Sequence, residues 1–323
     1  MFNTPFTARS VLRVAGAAAL GLGLAAPALA QDCQPSKWGA DDQLGAANML
    51  SPERTLEAAK LIKQGKSQPL GITIGPDTPA FAPRSLSMQV IQPNQTRGKD
   101  ALGYGGGGVY NDDVIQMWFG IGSQIDGLGH LGDHGRYYNC NKAEDISATT
   151  GLTRLGVHQI PPLVTRGVVV DMASHFGMDV LPAGHVIDEA AFKAAAEAQG
   201  VEIREGDVVL MHTGWTEGKL ESAPQEWVSG EPGITQDVAE YLASMNVMAV
   251  GADTWGVDVV PPPAGQKVFY SHVVLLRDNG IYILETMNTG PLVRDGVKEF
   301  MFVLGQARVK GSVQMVINPV ALY

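Results

Sequence analysis

The chain has 323 residues, of which 45% are hydrophobic and 7% aromatic, the composition of a globular protein that can bury a large core. Its 33 Asp and Glu residues outnumber its 23 Lys and Arg residues, which gives a formal net charge of −10. An acidic balance with no basic run argues against nucleic acid and anionic membranes as partners.

Residues 1–30 have the pattern of a secretory signal peptide. Arg9 and Arg13 precede a short apolar run of small residues, which ends in an Ala28-Leu29-Ala30 cleavage pattern. The apolar run is shorter than the roughly 20 residues that a membrane-spanning helix needs. We therefore expect cleavage after Ala30, a secreted or periplasmic protein, and one mature domain over residues 31–323 that does not associate with membranes.

The two cysteines, Cys33 and Cys140, leave two interpretations open. In an oxidising compartment an even pair can form a disulfide, and the alternative is two unpaired thiols. Neither cysteine belongs to a CxxC motif, so the sequence does not indicate a cysteine-based zinc site or a redox motif.

Helix signals alternate along the chain with short, apolar, β-rich runs. The helix signals are capping residues, N-terminal proline and terminal glycine around amphipathic segments. This alternation predicts an α/β fold, a single domain with a mixed β-sheet flanked by helices. The predicted helices cover 51–65, 188–199 and 235–245, and the predicted strands cover 167–172, 207–212, 247–251, 273–276, 281–284, 301–304 and 313–317.

A polar cluster follows the apolar run 115–121, so we expect it at or just past a strand end. In extended backbone alternate residues share a face, which puts Gln124 and Asp126 together, and His130 follows two glycines that let it turn back towards them. Carboxylate and imidazole groups suit zinc or manganese, and either residue can instead act as a general base. The alternative is an aspartate that caps a turn and a histidine on the surface.

A second candidate set lies towards the carboxyl end. His272 leads one apolar run and Glu285 ends the next, with an Asp-Asn-Gly turn signal at 278–280 between them. These features predict a β-hairpin that places both side chains near the same end. A buried carboxylate needs a partner, and a metal ion would serve both residues. A salt bridge from Glu285 to Arg277 or Arg294 is the alternative.

Over nearly all of its mature part the chain resembles the cyclase superfamily, which includes bacterial kynurenine formamidase, isatin hydrolase and a trans-dienelactone hydrolase. The resemblance implies a cyclase-like fold of the swivelling β/β/α type, a metal-dependent hydrolase with a small-molecule substrate, and a homo-oligomer. The segments that carry it are 38–48, 206–215, 251–253, 271–276 and 285–288.

The chain departs from the signature of this superfamily, H-x-G-T-H-x-D-x-P-x-H. Gly120 and Gln124 stand at the positions of the two leading histidines, whereas Asp126 and His130 keep the aspartate and the last histidine. The chain therefore resembles a Gln-Asp-His variant of the motif. In the superfamily the leading histidines and the aspartate bind one metal, so the resemblance implies that this first metal site is lost.

The second metal site of the superfamily is complete in this sequence. The resemblance implies one divalent ion, Mn²⁺ or Zn²⁺, held by Asp126, His272 and Glu285, with His130 as the catalytic proton carrier. Gln124 would add a carbonyl oxygen or orient Asp126. The further candidates near the site are His134, His212 and Asp253 as metal ligands or their supports, and Tyr104 and Trp215 as pocket residues that pack on a flat ring.

These residues predict the hydrolysis of a lactone, lactam, imide or arylformamide by metal-activated water. Two alternatives stay open. One is a metal-free small-molecule binding protein on a degenerate scaffold, and the other is a metal-independent enzyme that uses His130 as a base oriented by Asp126.

Overall fold

Nine strands of the described chain form one mixed sheet in the order β1-β15-β13-β7-β9-β11-β12-β4-β14. The structure is a computed structural model that describes residues 33–91, 105 and 108–323, so the predicted signal peptide and Tyr104 lie outside the described residues. The strands are β1 Ser67–Pro69, β2 Leu86–Ile91, β3 Asp112–Met117, β4 Gln124–Asp126, β5 Ser147–Ala148, β6 Gly151–Leu152, β7 Leu163–Asp171, β8 Val186–Ile187, β9 Val208–His212, β10 Gly233–Ile234, β11 Ala249–Ala252, β12 Tyr282–Glu285, β13 Glu299–Leu304, β14 Gln314–Val316 and β15 Val320–Leu322.

Helices connect and cover these strands. The α-helices of the described residues are α1 Pro52–Ala59, α2 Ala143–Ile146, α3 Met172–His175, α4 Glu189–Gln199, α5 Trp215–Lys219, α6 Pro224–Ser229, α7 Gln236–Ser244, α8 Tyr270–His272 and α9 Gly290–Arg294. Short 3₁₀ helices span Gly45–Met49, Tyr138–Cys140 and Val157–Gln159, and a π-helix spans Val273–Asp278.

The three predicted helices are confirmed, and their ends show why the sequence signals work. The Asp188 side chain accepts a hydrogen bond from the Ala191 amide at the start of α4, and Gly200 ends that helix with φ +66°. Ser51 caps α1 in the same way, with proline following it at the first helical position. This helix ends at Ala59, before the predicted stop at residue 65.

The centre of the sheet consists of the four parallel strands β7, β9, β11 and β12. Every residue of β9, β11 and β12 is buried, as expected for parallel strands covered on both faces. Their carboxyl ends lie at the same edge of the sheet, next to the antiparallel strand β4. The prediction of a mixed sheet flanked by helices is therefore confirmed.

The predicted hairpin that includes residues 273–276 is wrong. These residues belong to the π-helix Val273–Asp278, which follows α8 directly and packs against α7. Four consecutive buried apolar residues do not distinguish a buried helix from a strand, because neither period is visible in so short a run. His272 therefore ends a helix rather than leading a strand.

The structure divides into residues 1–33, of which only Cys33 is described, and the compact unit 34–323. Both cysteines, Cys33 and Cys140, are disulfide-bonded. No helix within the described residues has the length and apolarity needed to cross a membrane.

Candidate metal centre

The register of three strands brings the acidic residues of the site together. β4 lies between β12 and β14 and runs antiparallel to both. Glu285, the last residue of β12, pairs with Gln124, and Asp126 lies two residues further along β4 on the same face. All three side chains are buried, because β4 and β12 lie inside the nine-stranded sheet and not at its edge.

His272 approaches this face from α8. Its Nε2 lies 3.1 Å from Glu285 Oε1 and 3.7 Å from Asp126 Oδ2. Its Nδ1 hydrogen-bonds Asp258 Oδ2 at 2.7 Å, and the other oxygen of Asp258 accepts the Ser271 amide at 3.0 Å. Asp258 therefore fixes the orientation of the imidazole and leaves Nε2 directed at the two carboxylates, an arrangement common around metal-binding histidines.

Asp126, His272 and Glu285 have the chemistry that a divalent ion requires. Each offers one ligand atom, and these atoms lie within 4.8 Å of one another. Asp126 Oδ2 is buried and has no hydrogen-bond partner among the described residues, which is costly for an anionic oxygen unless a cation compensates it. One imidazole with two carboxylates suits Zn²⁺ or Mn²⁺. The three residues therefore fit such an ion.

Two amides hold the carboxylates in place. Gln124 Nε2 donates to Glu285 Oε2 at 2.5 Å and to Asp126 Oδ1 at 3.3 Å. Gln314 Nε2 donates to the same Asp126 oxygen at 2.7 Å. These bonds leave Asp126 Oδ2 and Glu285 Oε1 facing His272. Gln124 thus orients both acids in this structure.

His130 lies beside the three candidate ligands. Its Nε2 is 3.7 Å from Asp126 Oδ2, its ring centroid is 6.5 Å from that of His272, and its side chain is 21% exposed. Burial lowers the pKa of His130 below its usual value, the charge of Asp126 opposes this, and the charges of His272 and Arg84 lower it further. The imidazole is therefore neutral at neutral pH and can accept a proton.

The pKa values of Glu285 and His272 are both raised where the two side chains meet. Burial raises the pKa of Glu285 to about 7, the charge of Asp126 adds to the rise, and the hydrogen bond with His272 opposes it. Burial lowers the pKa of His272, but its hydrogen bonds with Asp258 and Glu285 outweigh burial and raise it well above the usual value. Without a metal ion this pair therefore retains protons near neutral pH.

We expect metal affinity to increase as the pH rises from about 6 to about 8. Below a pKa of about 7 Glu285 holds a proton that the ion must displace, and the raised pKa of His272 adds a second proton whose competition continues at higher pH. The dissociation constant for Zn²⁺ should therefore fall by up to about tenfold per pH unit for each displaced proton. Calorimetric titration in two buffers of different ionisation enthalpy counts the protons, and a pH-independent affinity would contradict this account.

Two further candidates form a separate buried pair at neighbouring strand ends. His212 ends β9, and its Nδ1 lies 2.8 Å from Thr289 Oγ1 and 3.3 Å from Asp253 Oδ2. Asp253 Oδ1 accepts hydrogen bonds from the amide and the hydroxyl of Thr213. These contacts tie β9 to the segment after β11, and neither residue joins the three-residue ligand group.

The structure does not bring His134 or Trp215 to the ligand group. The His134 side chain is 83% exposed and pairs with the neighbouring Asp133. Trp215 is completely buried, and its Nε1 donates to the carbonyl of Trp227 at 3.3 Å. Trp215 therefore contacts Trp227, which lines the small cavity at Gln124, and does not line that cavity itself. Tyr104, the other predicted pocket residue, is outside the described residues.

The structure adds residues that the sequence interpretation did not identify. Asp258 is the partner of His272, and Arg84 lines the small cavity at Gln124. The sequence signal for Asp258 is weak, an acid between Val257 and Val259 that lies five residues after Asp253. Arg84 has no local signal, because it reaches the site from a loop distant in sequence. The cavity is lined by Arg84, Phe81, Gly120, Gln124, Trp227 and Trp255, among others.

Glu231 supports the wall of that cavity. It is completely buried, and its Oε2 accepts hydrogen bonds from the amides of Trp255 at 2.6 Å and Gly256 at 3.2 Å. Burial raises the pKa of Glu231 well above its usual value, and the charge of Glu285 raises it further. Glu231 therefore holds the Trp255 loop through these two amides.

These features define an α/β protein that carries a candidate metal centre on the buried face of a mixed sheet. A family model described as "Putative cyclase" matches residues 68–259, more than half of the chain. The chain therefore belongs to the cyclase family, as its sequence motifs predict.

Solved structures agree with this assignment. The crystal structure of a novel cyclase is 29% identical, with a TM-score of 0.79 over 89% of this chain and 98% of that one. Isatin hydrolase A from Ralstonia solanacearum is 18% identical (TM-score 0.58, 79% of this chain, 91% of that one). An isatin hydrolase bound to the product analogue thioisatinate is 20% identical, with a TM-score of 0.59 over 85% of this chain and 99% of that one. At these identities the isatin hydrolases show the shared fold, and no curated protein matches the chain.

Proposed function

We propose that this protein is a metal-dependent hydrolase that opens a small cyclic ester or amide, such as a lactone, lactam or imide, or cleaves an arylformamide. The observation that carries the proposal is the convergence of Asp126, His272 and Glu285 around a buried carboxylate oxygen without a hydrogen-bond partner. Membership of the cyclase family and the shared fold with isatin hydrolases support the reaction type.

The ion that we propose is one Zn²⁺ or Mn²⁺, held by Asp126, His272 and Glu285. When bound, such an ion supplies Lewis acidity that polarises a carbonyl group and lowers the pKa of water. Asp258 keeps Nδ1 of His272 occupied, so Nε2 is the nitrogen presented to the centre. Gln124 and Gln314 hold the acids, so the site is preorganised before any ligand enters.

His130 is the residue that we propose moves the proton. Its neutral, partly exposed imidazole places Nε2 3.7 Å from Asp126 Oδ2. A base in this position takes a proton from the attacking water and returns it to the leaving nitrogen or oxygen. Asp126 also favours the protonated imidazole electrostatically during that transfer.

Replacing His130 should separate catalysis from metal binding. We expect His130→Gln to lower kcat by about 10²- to 10⁴-fold, because general acid–base catalysis contributes that much, while the metal content is unchanged. Steady-state kinetics with metal analysis tests this, and His134→Gln is the matched control because that side chain is exposed. A kcat that is unchanged in His130→Gln would remove His130 from the mechanism.

We also propose that the protein is exported. The signal-peptide pattern of residues 1–30 and the disulfide-bonded state of both cysteines support this, because disulfides persist in oxidising compartments. Amino-terminal sequencing of the protein from the native host should begin at Gln31, and a mature chain that still carries residues 1–30 would contradict export by cleavage.

We further propose a homo-oligomer. The antiparallel ribbon of β2 and β3 exposes Met88, Val90 and Ile115 on one face, each more than half exposed. A contiguous apolar surface of this kind is typical of interfaces between subunits. Light scattering after size exclusion should give a multiple of the chain mass that Ile115→Lys reduces, and a monomeric wild-type protein would contradict the proposal.

A further inference from the structure

Side chains from two distant segments fill the space beside Gly120. A Cβ atom added at this position would lie 2.7 Å from Arg84 Nη1, 2.8 Å from Arg84 Cζ and 2.9 Å from Gln314 Oε1, closer than van der Waals contact allows. Gly120 is not among the glycines with positive φ, so its backbone itself would accept a side chain. The guanidinium of Arg84 and the amide of Gln314 therefore occupy the place that a side chain at position 120 would take.

Amide groups also close one side of Asp126. β14 places Gln314 directly opposite Asp126, and Gln314 Nε2 donates to Asp126 Oδ1 at 2.7 Å. Gln124 Nε2 donates to the same oxygen at 3.3 Å, so both lone pairs of Oδ1 are in use. Asp126 Oδ2 has no hydrogen-bond partner among the described residues and faces His272. With the side chains in these places, an ion can bind Asp126 only through Oδ2.

Arg84 adds a fixed positive charge on the closed side. Its Nη1 donates to the Gly120 carbonyl at 2.7 Å, which anchors the guanidinium there. The cavity that Arg84, Gly120 and Gln124 line has a volume of about 20 Å³, room for one water molecule. A second divalent cation on this side of Asp126 would meet a like charge and N–H donors in a space too small for it.

We propose that Arg84, supported by Gln124 and Gln314, takes the place of a second metal ion and keeps the centre mononuclear. The superfamily signature has metal-binding histidines at positions 120 and 124, and the residues present do not fit an ion there. Gly120 offers no ligand, and Gln124 directs its N–H groups at the acids. The inference rests on the proposed function for the ion at Asp126, His272 and Glu285, and it names the residue that limits the site to that ion.

Counting zinc ions in variants with two restored histidines tests the proposal. Gly120→His with Gln124→His supplies two imidazoles beside Asp126, a ligand set that suits Zn²⁺. With Arg84→Ala added, we expect a second ion per chain in zinc buffers, measured by native mass spectrometry and elemental analysis. With Arg84 kept, the second ion should bind at least about tenfold more weakly, because an imidazole must displace the guanidinium and the ion meets its charge.

Two single variants and a matched control complete the count. Wild-type protein and Arg84→Ala should each bind one zinc ion, because neither has imidazoles at positions 120 and 124. Arg308 is an exposed arginine that does not line the cavity. Adding Arg308→Ala in place of Arg84→Ala to the two-histidine variant should therefore leave the affinity for the second ion unchanged.

A second measurement needs no metal. Gly120→Ala should lower the urea midpoint of unfolding while Arg84 is present, because the methyl group displaces the guanidinium from its hydrogen bond. In the Arg84→Ala background the same change should shift the midpoint much less, since the space is free, and a double-mutant cycle gives the coupling. Gly305→Ala is the matched control, because a Cβ atom there has no neighbour within 4 Å.

Four outcomes would overturn the assignment. They are two zinc ions in the wild type, a second-ion affinity that does not depend on Arg84, no second ion in a triple variant that keeps the first, and an equal midpoint shift for Gly120→Ala in both backgrounds. If the triple variant does not fold, the urea cycle decides. Ion counts as expected without hydrolysis of any ester or amide refute the proposed function alone. Metal-dependent hydrolysis with ion counts independent of Arg84 refutes this inference alone.

Discussion

Asp126→Asn should abolish stoichiometric metal binding and, with it, hydrolysis. Asp126 Oδ2 is the ligand atom that has no other partner among the described residues, and an asparagine replaces its charge with a neutral amide. Loss of residues that merely orient ligands costs about 10- to 100-fold in affinity, so loss of a ligand should exceed about 100-fold. Zinc titration of chelator-treated protein measures the change.

The same variant should be more stable than the wild type when both are metal-free. A buried anionic oxygen without a hydrogen-bond partner destabilises the folded protein, and Asp126→Asn removes that charge. A higher melting temperature of metal-free Asp126→Asn would show that the variant folds and that its defect is in binding. Gln124→Ala should lose less metal affinity, about 10- to 100-fold, because Gln124 only orients the acids.

Asp113→Asn is the matched control for Asp126→Asn, because Asp113 is exposed on β3. It should bind zinc as the wild type does. Retention of one ion per chain by Asp126→Asn would contradict the proposed ligand set.

Trp215→Ala should lower the free energy of unfolding by about 3–5 kcal/mol, the usual cost of truncating a buried tryptophan. Trp215 is completely buried in a cluster with Trp227 and Trp255, and its Nε1 donates to the Trp227 carbonyl. Its removal leaves a cavity in this cluster, whereas the Trp227 carbonyl keeps the hydrogen bond that Trp255 Nε1 donates at 2.7 Å. Urea denaturation of the metal-free protein measures the change.

Two tryptophan controls distinguish support of the fold from contact with substrate. Trp118→Ala should change stability by less than about 0.5 kcal/mol, because Trp118 is 43% exposed. Trp215→Phe should cost less than Trp215→Ala, because it keeps most of the buried volume. A Trp215→Ala variant of unchanged stability with a raised KM would instead make Trp215 a pocket residue, as the sequence interpretation proposed.

Local sequence patterns predicted the helices and strands that have capping residues or a clear apolar run of their own. The helix that begins after Asp188 was predictable from a capping aspartate and a terminal glycine, and β9 and β11 from short apolar runs flanked by polar residues. The segment 273–276 was not predictable in this way. Its four apolar residues are buried in a π-helix, and the period that separates helix from strand needs a longer segment to appear.

The site residues that lie on one strand or belong to a recognisable motif could be predicted from the sequence. Alternation along β4 placed Gln124 and Asp126 on one face, and the resemblance to the cyclase superfamily supplied His272 and Glu285. His272 and Glu285 are in contact, as expected, but His272 comes from the end of a helix and not from the predicted hairpin.

Local sequence patterns could not predict the roles of three residues near the site, Arg84, Asp258 and Gln314. Arg84 contacts a residue 36 positions away, and Gln314 contacts one 188 positions away. Such contacts depend on how distant segments pack, which no local pattern in the sequence encodes. The same holds for the buried pair of His212 and Asp253, whose types suggested a site although their contacts tie strand ends together.

The central claim is metal-dependent hydrolysis, and one measurement tests it most directly. The purified protein is incubated with a lactone, a lactam, a cyclic imide and an arylformamide, as isolated, after exhaustive chelation, and after Zn²⁺ or Mn²⁺ is restored. Mass spectrometry should find a ring-opened product one water heavier, or the free arylamine, before chelation and after metal restoration but not in between. Hydrolysis that continues after chelation would contradict the metal centre, and a protein that binds no metal and hydrolyses none of the four would contradict the proposed function.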